Sequence, residues 1–190
     1  MPASKGEDIV IYFDTSASQT GQFRDDAFEA LSGMLTGLTD NDRVRLFAID
    51  LEPVPMTTEF VAPQGDAIEQ AIDLLEKRAP LGSTDLGELL KSAGNSFSTG
   101  DATKADRNRS VMYIGDGQSK VNFVQGEELR GHVNQLVDQR ISFNSFAIGP
   151  ARDNVMLAAL ANQTGGNLVL DGDDISPQQF GAELARVVHA

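Results

Sequence analysis

Residues 9–13 read Ile-Val-Ile-Tyr-Phe and residues 111–114 read Val-Met-Tyr-Ile. Neither run alternates apolar with polar, so a strand built from either must be covered on both faces. Sheets of that kind need helices above and below, and the rest of the chain supplies them. Phe23, Ala27, Leu31, Leu35 and Leu38 recur at helical spacing after the first run. Asp40-Asn41-Asp42 is a turn signal. Val44, Leu46 and Ala48 then alternate with Arg45, Phe47 and Ile49 in a second strand. Pro53, Pro55 and Pro63 flank Met56-Thr57-Thr58-Glu59-Phe60-Val61, a setting that suits a short edge strand.

Helical stripes return at Ile68, Ala71, Ile72 and Leu75, and again at Leu86, Leu89, Leu90, Ala93 and Phe97. The small polar residues between Ser98 and Asn108 read as an exposed loop. Leu129, Val133, Leu136 and Val137 mark a fourth helix, and Ile141 to Ile148 a strand. Met156, Ala159 and Leu160 mark a short helix stopped by Gly165-Gly166, where glycine accepts a left-handed cap. Leu168-Val169-Leu170 is the last strand. Ser176-Pro177-Gln178-Gln179 opens the last helix: serine caps, proline fits the first turn, and Gln179 completes a capping box. Phe180, Leu184, Val187 and Val188 form its stripe.

Strands alternating with helices predict a mostly parallel sheet with right-handed crossovers. One α/β domain over residues 1–190 is expected, whether whole or taken from a longer protein. In open sheets of this kind, sites form outside the carboxyl ends of the strands, where strand order reverses. Asp14 and Asp116 stand at two such ends.

Those ends carry the chemistry. Asp14-Thr15-Ser16-Ala17-Ser18 follows the first run, Gly115-Asp116-Gly117 follows the second, and Gly82-Ser83-Thr84-Asp85 precedes a helix. Asp14, Ser16, Ser18, Thr84 and Asp116 offer two carboxylates and three hydroxyls, all hard oxygen donors. Few carboxylates and an open position suit Mg²⁺, with Mn²⁺ or Ca²⁺ as alternatives. Because only two of the five donors are charged, the ion stays electrophilic toward an outside carboxylate.

The net charge of −13, from 28 acidic and 15 basic residues, argues against nucleic acid and anionic lipid. With no cysteine, disulfides, thiol nucleophiles and thiolate zinc sites are excluded. No apolar run approaches the ~20 residues of a membrane span, so no direct membrane insertion is expected. Polar residues open the chain and lead straight into a strand, so no signal peptide is expected.

Asp14-Thr15-Ser16-Ala17-Ser18 resembles the Asp-x-Ser-x-Ser motif of von Willebrand factor type A domains. Thr84 resembles that family's separate metal-site threonine, and Asp116 its second aspartate. The resemblance extends over essentially the whole chain, since element order matches too. It implies a Rossmann-like, doubly wound six-stranded sheet of order 3-2-1-4-5-6 with one short antiparallel edge strand and helices on both faces. It also implies a metal-ion-dependent adhesion site: Ser16 and Ser18 as direct ligands, Asp14 and Asp116 direct or through water, and Thr84 switching between the two. A partner protein's Asp or Glu would complete the shell. The partner-binding rim would include Ser83, Asp85, Gly117 and Gln118, within loops 17–22, 51–56, 80–84, 117–126, 150–154 and 171–176. Threonine is common in the family where Gly115 stands, and asparagine where Asp85 stands. The extra carboxylate of Asp85 could alter metal preference.

The expected function is therefore a non-enzymatic, metal-dependent protein-binding module. An alternative is a haloacid-dehalogenase-like phosphohydrolase, which also sets an aspartate after a first apolar strand. Those enzymes use Asp-x-Asp with the second aspartate as general acid. Here Ser16 holds that place and cannot supply the proton near neutral pH. Another alternative is a scaffold subunit of a larger assembly or chelatase-type complex. Asp171-Gly172-Asp173-Asp174 reads as a solvated turn before a capped helix, and His132 and His189 as surface residues. There is no Gly-x-Ser-x-Gly elbow and no phosphate-binding Gly-x-x-x-x-Gly-Lys-Ser/Thr loop.

Overall fold

The computed structural model describes residues 5–98, 107–119, 126–172 and 175–189. Among these described residues, six strands and six helices follow one another in the expected order. They are β1 (Glu7–Asp14), α1 (Gln22–Gly37), β2 (Arg43–Ile49), β3 (Pro53–Pro55), α2 (Asp66–Glu76) and α3 (Leu86–Ser96), then β4 (Asn108–Gly115), α4 (Gly126–Asp138), β5 (Ile141–Ala147), α5 (Asn154–Thr164), β6 (Leu168–Leu170) and α6 (Pro177–Val187). The strands form one sheet in the order β3-β2-β1-β4-β5-β6. All pairings are parallel except β2 with β3. The doubly wound, Rossmann-like architecture is therefore as the sequence predicts.

The two-sided burial of β1 and β4 has a direct cause in side-chain alternation. Ile9, Ile11 and Phe13 of β1 join Met112 and Ile114 of β4 in one core, beneath α1, α2 and α6. Val10 and Tyr12 join Val111 and Tyr113 in the other, beneath α3, α4 and α5. Each fully buried large apolar side chain is worth about 1.5–3 kcal/mol relative to exposure. Neither strand has a polar face to spend on solvent, which fixes both at the centre of the sheet. Among the described residues, no helix is long and apolar enough to cross a membrane.

Three details differ from expectation. The edge strand is Pro53-Val54-Pro55 itself, not the segment between the prolines. Met56 N donates to Leu46 O at 2.8 Å, so alternation turns the nitrogen of Pro55 outward, where no donor is needed. Val61 of the expected segment makes only an isolated bridge to Val44. On α4, Val137 is 45 % exposed, since Val133 and Leu136 already define the buried stripe. On α5, Ala159 faces out, and Leu157, Leu160 and Ala161 fill the core instead. The expected loop between Ser98 and Asn108 lies largely outside the described residues, and β4 begins at Asn108 itself.

Candidate metal centre

The parallel register sets the carboxyl ends of β1 and β4 side by side, with Phe13 opposite Ile114. β1 stops at Asp14, and the chain leaves the sheet through Thr15, whose amide donates to Ile49 O at 2.8 Å. The next loop is stitched to the one before α3. Ala17 N donates to Gly82 O at 3.1 Å, and Leu81 N to Thr15 O at 3.0 Å. Thr84 is thereby brought over the end of β1, although it is far away in sequence.

The five residues singled out in the sequence are joined by hydrogen bonds, with the link between Asp14 and Ser16 made by the Ser16 backbone amide. Thr84 Oγ1 donates to Asp14 Oδ1 at 2.9 Å. The Ser16 amide donates to Asp14 Oδ1 at 2.8 Å. Ser16 Oγ lies 3.0 Å from Ser18 Oγ, and Ser18 Oγ donates to Asp116 Oδ2 at 2.6 Å. Asp14, Ser16, Thr84 and Asp116 are buried, whereas Ser18 is half-exposed and marks the open side.

The electrostatics of the cluster are unbalanced. Asp14 and Asp116 take part in no ion pair among the described residues; those present use Asp8, Asp42, Asp50 and Glu88. Burial pushes the Asp14 carboxyl above its usual range. Hydrogen bonds from Tyr113 and Ser16 pull it back, and the charge of Asp116 pushes it up again. Two neighbouring buried carboxylates without a counter-charge are costly, and a cation is the ordinary remedy. No group of three or more His, Cys, Asp or Glu side chains gathers among the described residues. The donor set is thus low in charge and rich in hydroxyls, which fits a hard divalent ion.

The rim residues are placed as follows. Ser83 and Gln118 are half-buried at the mouth. Gly117 is buried with a positive φ of 71°, a conformation that glycine adopts without strain. Asp85 is buried and caps α3, its Oδ1 accepting from Gly87 N at 2.9 Å and Glu88 N at 3.1 Å. Of the rim loops, residues 120–125 and 173–174 lie outside the described residues, the latter including Asp173 and Asp174 of the expected solvated turn. His132 is half-buried on α4, and His189 is exposed.

Two contributors were not singled out from sequence. Gln19 is buried and donates from Nε2 to Ile148 O at 3.1 Å, tying the first loop to the end of β5. Tyr113 is completely buried, yet its hydroxyl donates to Asp14 Oδ2 at 2.7 Å. The hint in the sequence was a phenol two residues before a glycine at the end of an otherwise apolar strand.

A family model for the von Willebrand factor type A domain matches residues 7–170. The chain belongs to that family. Solved structures agree on the fold of this von Willebrand factor type A domain. A von Willebrand factor type A protein from Catenulispora acidiphila superposes with a TM-score of 0.80 at 16% identity, covering 97% of this chain and 42% of that one. An aerotolerance-related membrane protein from Bacteroides fragilis gives 0.75 at 14% identity, covering 96% and 98%. Manganese-loaded TRAP protein from Plasmodium vivax gives 0.61 at 15% identity, covering 84% and 63%. No curated protein matches the sequence.

Proposed function

We propose that this von Willebrand factor type A domain is a non-enzymatic protein-binding module whose contact runs through a divalent cation. Ser16, Ser18, Thr84, Asp14 and Asp116 would hold Mg²⁺, with Mn²⁺ as a close substitute and Ca²⁺ as the larger alternative. The ion would act as a Lewis acid toward an Asp or Glu carboxylate presented by the partner protein. The chain's own residues gather the oxygens, keep them dry on the sheet side, and leave the Ser18 side open.

The observation that carries this reading is the hydrogen-bonded run from Thr84 to Asp116, joined between Asp14 and Ser16 by the Ser16 amide, with both carboxylates buried and without an ion pair among the described residues. A cluster built only for packing would not place two acids there. The manganese in the Plasmodium vivax relative is consistent with it. Exposed Leu51 and Leu81, in loops of the expected rim, add apolar surface of the kind that the buried core of a protein interface uses.

Calorimetric Mg²⁺ titration of the wild type and Asp14→Ala tests the metal. The wild type is expected to bind one ion, and Asp14→Ala to lose binding while keeping the circular dichroism of the fold. Equal affinity in both proteins contradicts the ligand assignment. Retention of peptides from an array, each acidic residue replaced in turn by its amide, tests the partner chemistry. Retention should require an acidic residue and disappear with chelator.

A further inference from the structure

Tyr113 sits in the middle strand of the sheet among apolar neighbours of α3, α4 and α5. Its hydroxyl projects from that core to the underside of the cluster. It donates to Asp14 Oδ2 at 2.7 Å and accepts from Gly117 N at 3.1 Å. The path between phenol and carboxylate exists only because residue 115 has no side chain. A Cβ there would stand 2.4 Å from the Tyr113 hydroxyl, 2.5 Å from Asp14 Cβ and 2.6 Å from Asp14 Oδ2.

The two oxygens of Asp14 therefore have different surroundings. Oδ1 faces the hydroxyls, accepting from Thr84. Oδ2 is turned toward β4 and held by Tyr113. Asp116 is divided in the same way: Oδ2 accepts from Ser18 Oγ at 2.6 Å, while Oδ1 accepts from Gln118 N at 2.9 Å. Each carboxylate turns one oxygen toward the hydroxyls, Asp14 Oδ1 accepting from the Ser16 amide as well, and has its other oxygen held away from them by Tyr113 or by the Gln118 amide.

We propose that Tyr113 is a positioning residue that fixes Asp14 as a one-ended donor, so that the site favours a small octahedral cation, Mg²⁺ or Mn²⁺, over Ca²⁺. This rests on the metal-site reading above. Ca²⁺ takes about six to eight oxygens and commonly uses both oxygens of a carboxylate, whereas Mg²⁺ takes about six in tight geometry. Five side chains turning one oxygen each toward the cluster would offer at most five donors, within what Mg²⁺ takes with water or a partner carboxylate beside them. They undersupply the larger ion. Removing the phenol hydroxyl releases Asp14 Oδ2 and lets the carboxylate rotate.

The test is calorimetric titration of wild type, Tyr113→Phe and Asp14→Ala with Mg²⁺ and, separately, with Ca²⁺. Tyr113→Phe is expected to weaken Mg²⁺ binding by about 10–100-fold, the usual effect of losing an outer partner of a metal ligand. Ca²⁺ binding should weaken less or improve, so that the ratio of the two affinities falls. A purely structural tyrosine would lower the metal-free melting temperature and leave that ratio where it was. An unchanged ratio in a folded Tyr113→Phe, with the wild type binding Mg²⁺, overturns the inference and spares the metal site. A wild type that binds neither ion overturns both. A second measurement leaves the phenol in place. The chain has two tyrosines, so Tyr12→Phe labelled with fluorotyrosine carries its only ¹⁹F signal at residue 113. That signal should move on Mg²⁺ addition along the calorimetric isotherm and stay still when Asp14→Ala is added; a signal that ignores Mg²⁺ at saturation overturns the inference.

Discussion

Asp42 is a single residue that closes the end of the sheet away from the proposed metal centre. Its Oδ1 accepts from Glu7 N at 3.0 Å, and its Oδ2 from Thr39 N at 2.8 Å and Thr39 Oγ1 at 2.9 Å. His189 Nε2 lies 3.1 Å from the same Oδ2, so the start of β1, the turn after α1 and the end of the chain meet on one carboxylate. Burial alone would raise its pKa. The three hydrogen bonds and His189 outweigh burial and hold the carboxyl below its usual range. A folded-state pKa below the unfolded value of about 3.9 means that the unfolded chain binds the proton more readily in that window. The stabilisation is therefore complete above the unfolded value and is lost as pH falls through the folded one. Asp42→Asn is expected to lose about 1.5–3 kcal/mol near neutral pH, the range for hydrogen bonds to a charged group. Urea melts should show that deficit shrinking below the ordinary carboxylate range; a deficit independent of pH would contradict the assignment. At this scale the sequence was readable where chemistry and motif coincide, as at Asp14, Ser16, Ser18, Thr84 and Asp116. It was not readable at Tyr113, because strand periodicity reports which face a residue takes and not what its terminal oxygen touches. Asp42 read as part of a turn signal for the same reason.

At the scale of elements, helix ends do much of the positioning. Asp85 caps α3 with its side chain, and its amide donates to Asp50 O at 2.9 Å. Thr84 is the preceding residue, so this cap anchors the threonine of the proposed metal site to both α3 and the end of β2. Asp85→Ala is expected to cost about 0.5–2 kcal/mol in thermal or denaturant melts, as for other lost caps. It should also weaken Mg²⁺ binding, but by less than Asp14→Ala does. Full Mg²⁺ affinity with the stability loss present would separate the cap from the site. Sequence reading located the helices and every strand but β3 because the stripes are long and the breaks are chemically distinct. The capping box at Ser176 and Gln179 and the left-handed Gly165 cap of α5 are both present as read. The misplacements have one origin. Short segments such as β3, and residues at the margin of a stripe such as Val137 and Ala159, carry too little pattern to decide between neighbouring registers. Their places were settled by pairing with β2 and by packing against the second core.

For the whole molecule, the sheet order divides labour between its two ends. The base holds ion pairs such as Arg43 and Arg107 on Asp8, which satisfy buried acids with cations of the same chain. The carboxyl ends of β1 and β4 leave Asp14 and Asp116 to hydroxyls and amides. A chain of net charge −13 has cause to neutralise buried acids where it can, so two without an ion pair among the described residues, at the carboxyl ends of β1 and β4, fit the proposed cation site. The alternating parallel α/β fold followed from sequence pattern, and the sheet order and the five-residue site from the resemblance to von Willebrand factor type A domains. The one-ended geometry of each carboxylate did not, since it depends on the contact between a strand and its neighbour. The most direct measurement is an anomalous difference map from a crystal soaked in MnCl₂. The account predicts one strong peak bounded by the side-chain oxygens of Ser16, Ser18, Thr84, Asp14 and Asp116. A fully soaked crystal with no peak there, or with its only peak elsewhere, would contradict it.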